Sequence, residues 1–206
     1  MHIELQALVS DFARGLMLAD SKRPQAVNIR SGTSFQPGIG PHSETQTVEL
    51  VMKELSGLSG DYGSHSCAVP YPQSPRRKCD LCIGQEGKGN WVIEVKMIRF
   101  LGDNGKINDN ILMHVLSPYS EHRSALTDCE KLVESGFDAR KAILIYGYDH
   151  DEWPLDPAVN AFEILAGVRV DLGARCTASF SGLNHPVHSR GRVFGWELKP
   201  KTVLCQ

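Results

Sequence analysis

Residues 91–100 read Trp-Val-Ile-Glu-Val-Lys-Met-Ile-Arg-Phe. The run is almost wholly apolar or β-branched, the composition of a strand covered on both faces. Two charges interrupt it, Glu94 and Lys96. They stand two residues apart, so on a strand they point to the same side. A carboxylate and an ammonium among Val92, Ile93, Val95 and Ile98 are unfavourable unless something compensates them. An edge strand with one solvated face, or a local ion pair, would do so. Asp80 offers a further partner. It lies in a second short apolar run, residues 79–83, and residues 84–90 (GQEGKGN) have the glycine-rich, polar composition of a turn. The two runs are therefore expected to form an antiparallel hairpin that brings Asp80 beside Glu94 and Lys96.

Two carboxylates on neighbouring strands make a hard oxygen site suited to Mg²⁺ or Mn²⁺. A metal so held polarises a phosphoryl oxygen and lowers the pKa of bound water. A lysine beside it positions the water and stabilises developing negative charge. These are the parts that phosphodiester hydrolysis needs.

The pattern Asp80-x13-Glu94-Val95-Lys96 resembles the PD-(D/E)xK nuclease superfamily, the fold of many restriction endonucleases and DNA-repair nucleases. Cys79 stands where the motif name has Pro. The resemblance covers roughly residues 41–148. It implies metal ligation by Asp80 and Glu94, assistance to the attacking water by Lys96, direct attack on phosphorus without a covalent enzyme intermediate, and a homodimer for double-strand cutting.

The 206 residues suit a single domain: an N-terminal helix and loop over 1–40, a catalytic core over 41–148, and a C-terminal helix and strands over 149–206. A net charge of −2 does not announce a nucleic-acid binder, but a nuclease needs only a basic cleft. No run approaches the ~18 apolar residues of a membrane span. The N-terminus lacks the features of a secretion signal, and six cysteines are too sparse for a disulfide scaffold, so a reducing cytoplasm is expected.

Leu5, Leu8, Val9, Phe12 and Leu16 form the stripe of an amphipathic helix over residues 3–19, read as a packing or dimer helix. Residues 21–41 are irregular, with Arg30 a candidate phosphate contact in a substrate-touching loop. Ser43 and Gln46 form a capping-box pattern for a helix reaching residue 58. Glu44, on the first turn of that helix and one turn before Val48, either favours the helix dipole or joins the metal site. Residues 61–75 suggest a strand ended by Pro70 and Pro72. Arg76, Arg77 and Lys78 follow, as a solvated turn or as phosphate contacts. Cys79 and Cys82, with His65 and Cys67, allow a competing zinc account, although positions 79 and 82 are expected on opposite strand faces.

Ser117-Pro118 resembles a helix start, and Ala125, Leu126, Cys129, Leu132 and Val133 form a helical stripe ending at Gly136. Residues 142–148 (AILIYGY) read as a buried strand. Asp156-Pro157 opens a helix to about residue 166, and strands are expected over 168–180 and 193–198. Arg190 and Arg192, in and beside the basic loop between them, are candidate nucleic-acid contacts. The order helix, three-strand meander, helix, strand is αβββαβ. The expected architecture is thus α/β, a restriction-endonuclease-like core in which helices flank a mixed central sheet, with an N-terminal helix and C-terminal strands added. The expected activity is Mg²⁺-dependent endonucleolytic hydrolysis of DNA by a type II restriction enzyme acting as a homodimer. A repair or junction nuclease, and a DNA-binding protein of the same fold that does not cut, are the alternatives.

Overall fold

The computed structural model describes residues 3–28, 31–84, 91–109 and 112–201. Helices α1 (Leu5–Ser21) and α2 (Glu44–Leu58) come first, then strands β1 (His65–Tyr71), β2 (Ser74–Ile83) and β3 (Trp91–Ile98). A short α3 (Met113–Leu116) and α4 (Ala125–Val133) lead to β4 (Arg140–Tyr148). The chain then forms α5 (Asp156–Arg169), β5 (Asp171–Leu172), β6 (Cys176–Ser181) and β7 (Arg190–Lys199).

The result is a mixed α/β architecture around one seven-stranded sheet. Its order is β1-β2-β3-β4-β7-β5, with β6 also pairing β7. The β3–β4 pair is parallel and the others are antiparallel. Parallel neighbours need a crossover, and α4 lies on that connection.

The reading of residues 91–100 as a doubly covered strand holds over 91–98, and Arg99 and Phe100 lie beyond its end. Trp91, Ile93 and Val95 pack into one apolar cluster with α1 and α2, while Val92 and Ile98 pack into a second with α4 and α5. Glu94 and Lys96 share the parity of this second face and are only 2% and 9% exposed. The expected hairpin also forms, through the pairs Leu81↔Ile93, Cys82↔Val92 and Ile83↔Trp91. Its turn, residues 85–90, lies outside the described residues.

Ser43 and Gln46 make the full capping box at the start of α2. Other boundaries differ from expectation. Pro70 does not end β1. It sits within this edge strand, where a missing N–H need not break a ladder. Arg76, Arg77 and Lys78 belong to β2 rather than to a turn. Ser117-Pro118 does not open α4. Ser117 is instead hydrogen-bonded to His122 Nδ1 at 2.6 Å, Arg123 adopts a left-handed conformation, and Ser124 caps the helix by accepting from Thr127 N–H. The single strand expected over 168–180 is the end of α5, the two-residue β5, and β6 after an interruption at residues 173–175.

Among the described residues, no helix is long and apolar enough to cross a membrane. The C-terminal end of β4 packs closely against β7, where Gly147 and Gly191 stand on adjacent rungs of the ladder. A Cβ at Gly191 would collide with the Gly147 carbonyl oxygen and lie 2.6 Å from the Phe180 ring. Backbone and a buried ring have little room to yield, so Gly191→Ala is expected to cost about 2–3 kcal/mol, the upper range for overpacking. Urea denaturation checks this. A loss under about 0.5 kcal/mol would show that the contact relaxes.

Candidate active site

β2 stays with β3 only as far as Leu81↔Ile93, while its earlier residues continue to pair with β1. Past that point, among the described residues, the β3 edge facing β2 has no strand partner, and side chains take the place of the ladder. Cys79 Sγ donates to the Ile93 carbonyl at 3.1 Å. The Val95 N–H donates to Asp80 Oδ2 at 2.8 Å, and the Met97 N–H to Glu44 Oε2, also at 2.8 Å. Thus the two carboxylates reach β3 from different elements, β2 and the first residue of α2, and are fixed by backbone amides that would otherwise lack partners.

The Glu94 and Lys96 side chains lie toward α4. Tyr71 O–H donates to Glu94 Oε1, and Lys131 Nζ stands 2.8 Å from the same oxygen. Asp128 bridges the two lysines, with Oδ1 at 2.6 Å from Lys131 and Oδ2 at 2.7 Å from Lys96. Lys96 also faces Glu44 Oε1 at 3.6 Å. The Lys131 ammonium sits 4.9 Å from the centre of the Tyr71 ring, a cation–π distance.

Four carboxylates, from Glu44, Asp80, Glu94 and Asp128, face two ammonium groups, an excess of two negative charges when all are ionised. Burial holds the Glu94 carboxyl well above its ordinary range, and Asp128 and Asp80 push it further up. Burial raises Glu44 to about 7 against the pull of Lys96, with Asp80 adding to the rise. Burial alone would lower Lys96 and Lys131. Their carboxylate neighbours more than reverse this, so both remain ammonium ions. Lys96 is therefore placed to orient a water or to stabilise charge, not to accept a proton while these pairs persist.

The structure brings together Asp80, Glu94, Lys96 and Glu44. It does not place Glu44, Asp80 and Glu94 in one three-ligand cluster of ion-binding size. Glu44 is committed to Met97 and Lys96 instead. Arg76, Arg77 and Lys78 lie exposed on the part of β2 that runs beyond β3. Arg190 pairs with Asp151. Arg192 makes four hydrogen bonds to Asp149 and Asp156 at 2.7–2.9 Å, which commit its guanidinium to the protein. Arg30 lies outside the described residues.

The zinc account fails. Among the described residues, His65, Cys67, Cys79 and Cys82 do not converge as a metal cluster. Cys79 and Cys82 also contact the same apolar cluster, contrary to the parity expectation, because β2 departs from β3 at this point. Three site residues were missed: Tyr71, Asp128 and Lys131. Asp128 carried a signal, since it lies three residues after Ala125 and four before Leu132 on the buried stripe of α4, where an acid calls for a partner.

Glu44 titrates higher in the folded chain, near 7, than its ordinary 4.5. Between these values the folded state holds the extra proton, so stability is greatest at the acid end and falls as pH rises through about 7. Glu44→Gln is expected to reduce that downward slope. Urea midpoints measured from pH 4.5 to 8 check it, and an unchanged slope would assign the titration elsewhere.

Comparison with family models, with curated proteins and with solved structures gives no match.

Proposed function

We propose that the chain is a metal-dependent endodeoxyribonuclease with a restriction-endonuclease-like core. The observation that carries this reading is the convergence of Asp80 and Glu94 from adjacent strands, next to Lys96, in a pocket of four carboxyl and two ammonium groups. The element order α2, β1–β3, α4, β4 supports it. The donor set fits Mg²⁺ or Mn²⁺, because Mg²⁺ commonly takes one or two protein carboxylates and completes its shell with water and substrate phosphate oxygens. Bound there, the cation would polarise the phosphoryl group and acidify a water.

Asp80 and Glu94 would hold the ion, while Glu44 stays with the Met97 N–H and Lys96. Lys96, anchored by Asp128 and Glu44, would orient the water and offset charge building on phosphorus. Water oxygen bonds to phosphorus as the ester P–O bond breaks; the water loses a proton and the departing alkoxide gains one. Arg76, Arg77 and Lys78 on the projecting hairpin supply positive charge for the nucleic-acid backbone. A type II restriction enzyme that cuts both strands as a homodimer is the favoured form.

Supercoiled plasmid incubated with the protein and Mg²⁺ or Mn²⁺ is expected to give discrete fragments. Asp80→Asn and Lys96→Met should each slow cleavage by roughly a hundredfold or more while keeping the native circular dichroism spectrum. Normal cutting by either folded variant would overturn the site.

One observation favours a second reading, a DNA-binding protein that does not cut. Lys131 already occupies Glu94 Oε1 at 2.8 Å, as a bound cation would. If Lys131 merely guards the site, Lys131→Met should tighten Mg²⁺ binding and preserve cleavage. If the fold only binds DNA, gel shifts will be salt-sensitive and neither wild type nor Lys131→Met will cut.

A further inference from the structure

A second group of metal-ligating side chains lies apart from the four carboxylates. Among the described residues, Asp103, His185 and His188 are the one set of three or more His, Cys, Asp or Glu residues whose ligand atoms all fall within 4.8 Å of one another. They come from two loops, one following β3 and one preceding β7. Both imidazoles are fully buried, and their rings stack at 4.7 Å between centres. Their Nε2 atoms converge on a single oxygen, Asp103 Oδ1, at 3.2 Å from His188 and 3.9 Å from His185. Metal bonds of ~2.0–2.2 Å at tetrahedral angles set ligand atoms about 3.4 Å apart, and these two distances bracket that value.

The hydrogen bonding leaves the cluster incomplete. His185 Nε2 is buried with no hydrogen-bond partner, and so is His188 Nδ1. His185 Nδ1 accepts from the Val187 and His188 N–H groups at 3.3 and 3.4 Å, which turns Nε2 toward Asp103. Those contacts are near the limit of a hydrogen bond. Ligation through Nε2 would move the ring proton to Nδ1 and give up these two weak bonds. Burial keeps both imidazoles neutral, with lone pairs to offer. Arg99, 3.5 Å from Asp103, is the competing cation, but its Nη1 is also donated to the Gly40 carbonyl at 2.8 Å.

We infer that Asp103, His185 and His188 form a binding site for one Zn²⁺-class ion that clamps the two loops together. Two imidazole nitrogens and one carboxylate suit a first-row transition ion rather than Mg²⁺, and a fourth position remains for water. The clamp reaches a third segment. Gly40 packs so closely that an added Cβ would lie 2.9 Å from His188 Cδ2 and 3.2 Å from His185 Cβ. Three residues later Ser43 caps α2, and Glu44 follows. The ion would thus stiffen the approach to Glu44 without belonging to the carboxylate site, and the assignment does not depend on nuclease activity.

Isothermal titration of the purified full chain with Zn²⁺, beside thermal melts, tests it. Wild type and Asp80→Asn should each bind one Zn²⁺ and melt higher with it. Asp103→Asn and His188→Gln should bind at least about tenfold more weakly, the scale on which even outer partners of a metal act, and should lose the thermal gain. Asp103 is partly exposed, so its variant is expected to keep the native circular dichroism spectrum even where His188→Gln does not. Absence of binding to folded wild type would overturn the site. So would equal binding by folded Asp103→Asn, or loss of binding in Asp80→Asn alone.

Discussion

A strand cannot end its hydrogen-bonding obligations where its neighbour leaves. β2 leaves β3 at Ile93, yet β3 continues inside the protein through Val95 and Met97, whose N–H groups face the widening gap. Buried amides without partners are rare because each costs free energy comparable to a lost hydrogen bond. Here Asp80 and Glu44 accept those two hydrogens. The same carboxylates that close the sheet edge are thereby aimed into the gap, so satisfying the backbone and assembling an acidic pocket are one event.

The gap has a consequence for the charges behind it. Glu94 and Lys96 cannot be solvated where they stand, and α4 answers with Asp128 and Lys131. Each charge in the chain Glu94–Lys131–Asp128–Lys96–Glu44 has an opposite neighbour within 2.6–3.6 Å. Burying ions is costly even when they are paired, and removing one partner commonly costs about 3–5 kcal/mol. A network of this kind contributes little net stability against an apolar packing of the same volume. Its presence in an otherwise apolar core is therefore not explained by stability alone.

Much of this was legible in the chain. The buried character of residues 91–98, the common side of Glu94 and Lys96, the hairpin with Asp80 and the capping box at Ser43 follow from period-two alternation and local chemistry. Much of what escaped has a common cause. Asp128 and Lys131 enter through a parallel crossover, and no periodicity reports which strand residue a helix will face. Arg192 reads as a free basic residue until Asp149 and Asp156, more than thirty positions away, enclose it. Pro70 reads as a strand terminator unless β1 is known to be an edge. Each of these is a non-local contact overriding a local preference, whereas the helix start expected at Ser117 is displaced locally, by His122 and the Ser124 cap.

The eight-position parallel register between β3 and β4 has one further consequence. Side chains alternate with period two, so a slip of one residue would carry Glu94 and Lys96 across to the α1–α2 face, where Leu8, Phe12, Val51 and Met52 offer nothing to either charge. A misaligned sheet would strand both ions in hydrocarbon. The polar pair therefore favours the native alignment over a one-residue slip, because only the native pairing brings Glu94 and Lys96 to Lys131 and Asp128 on α4.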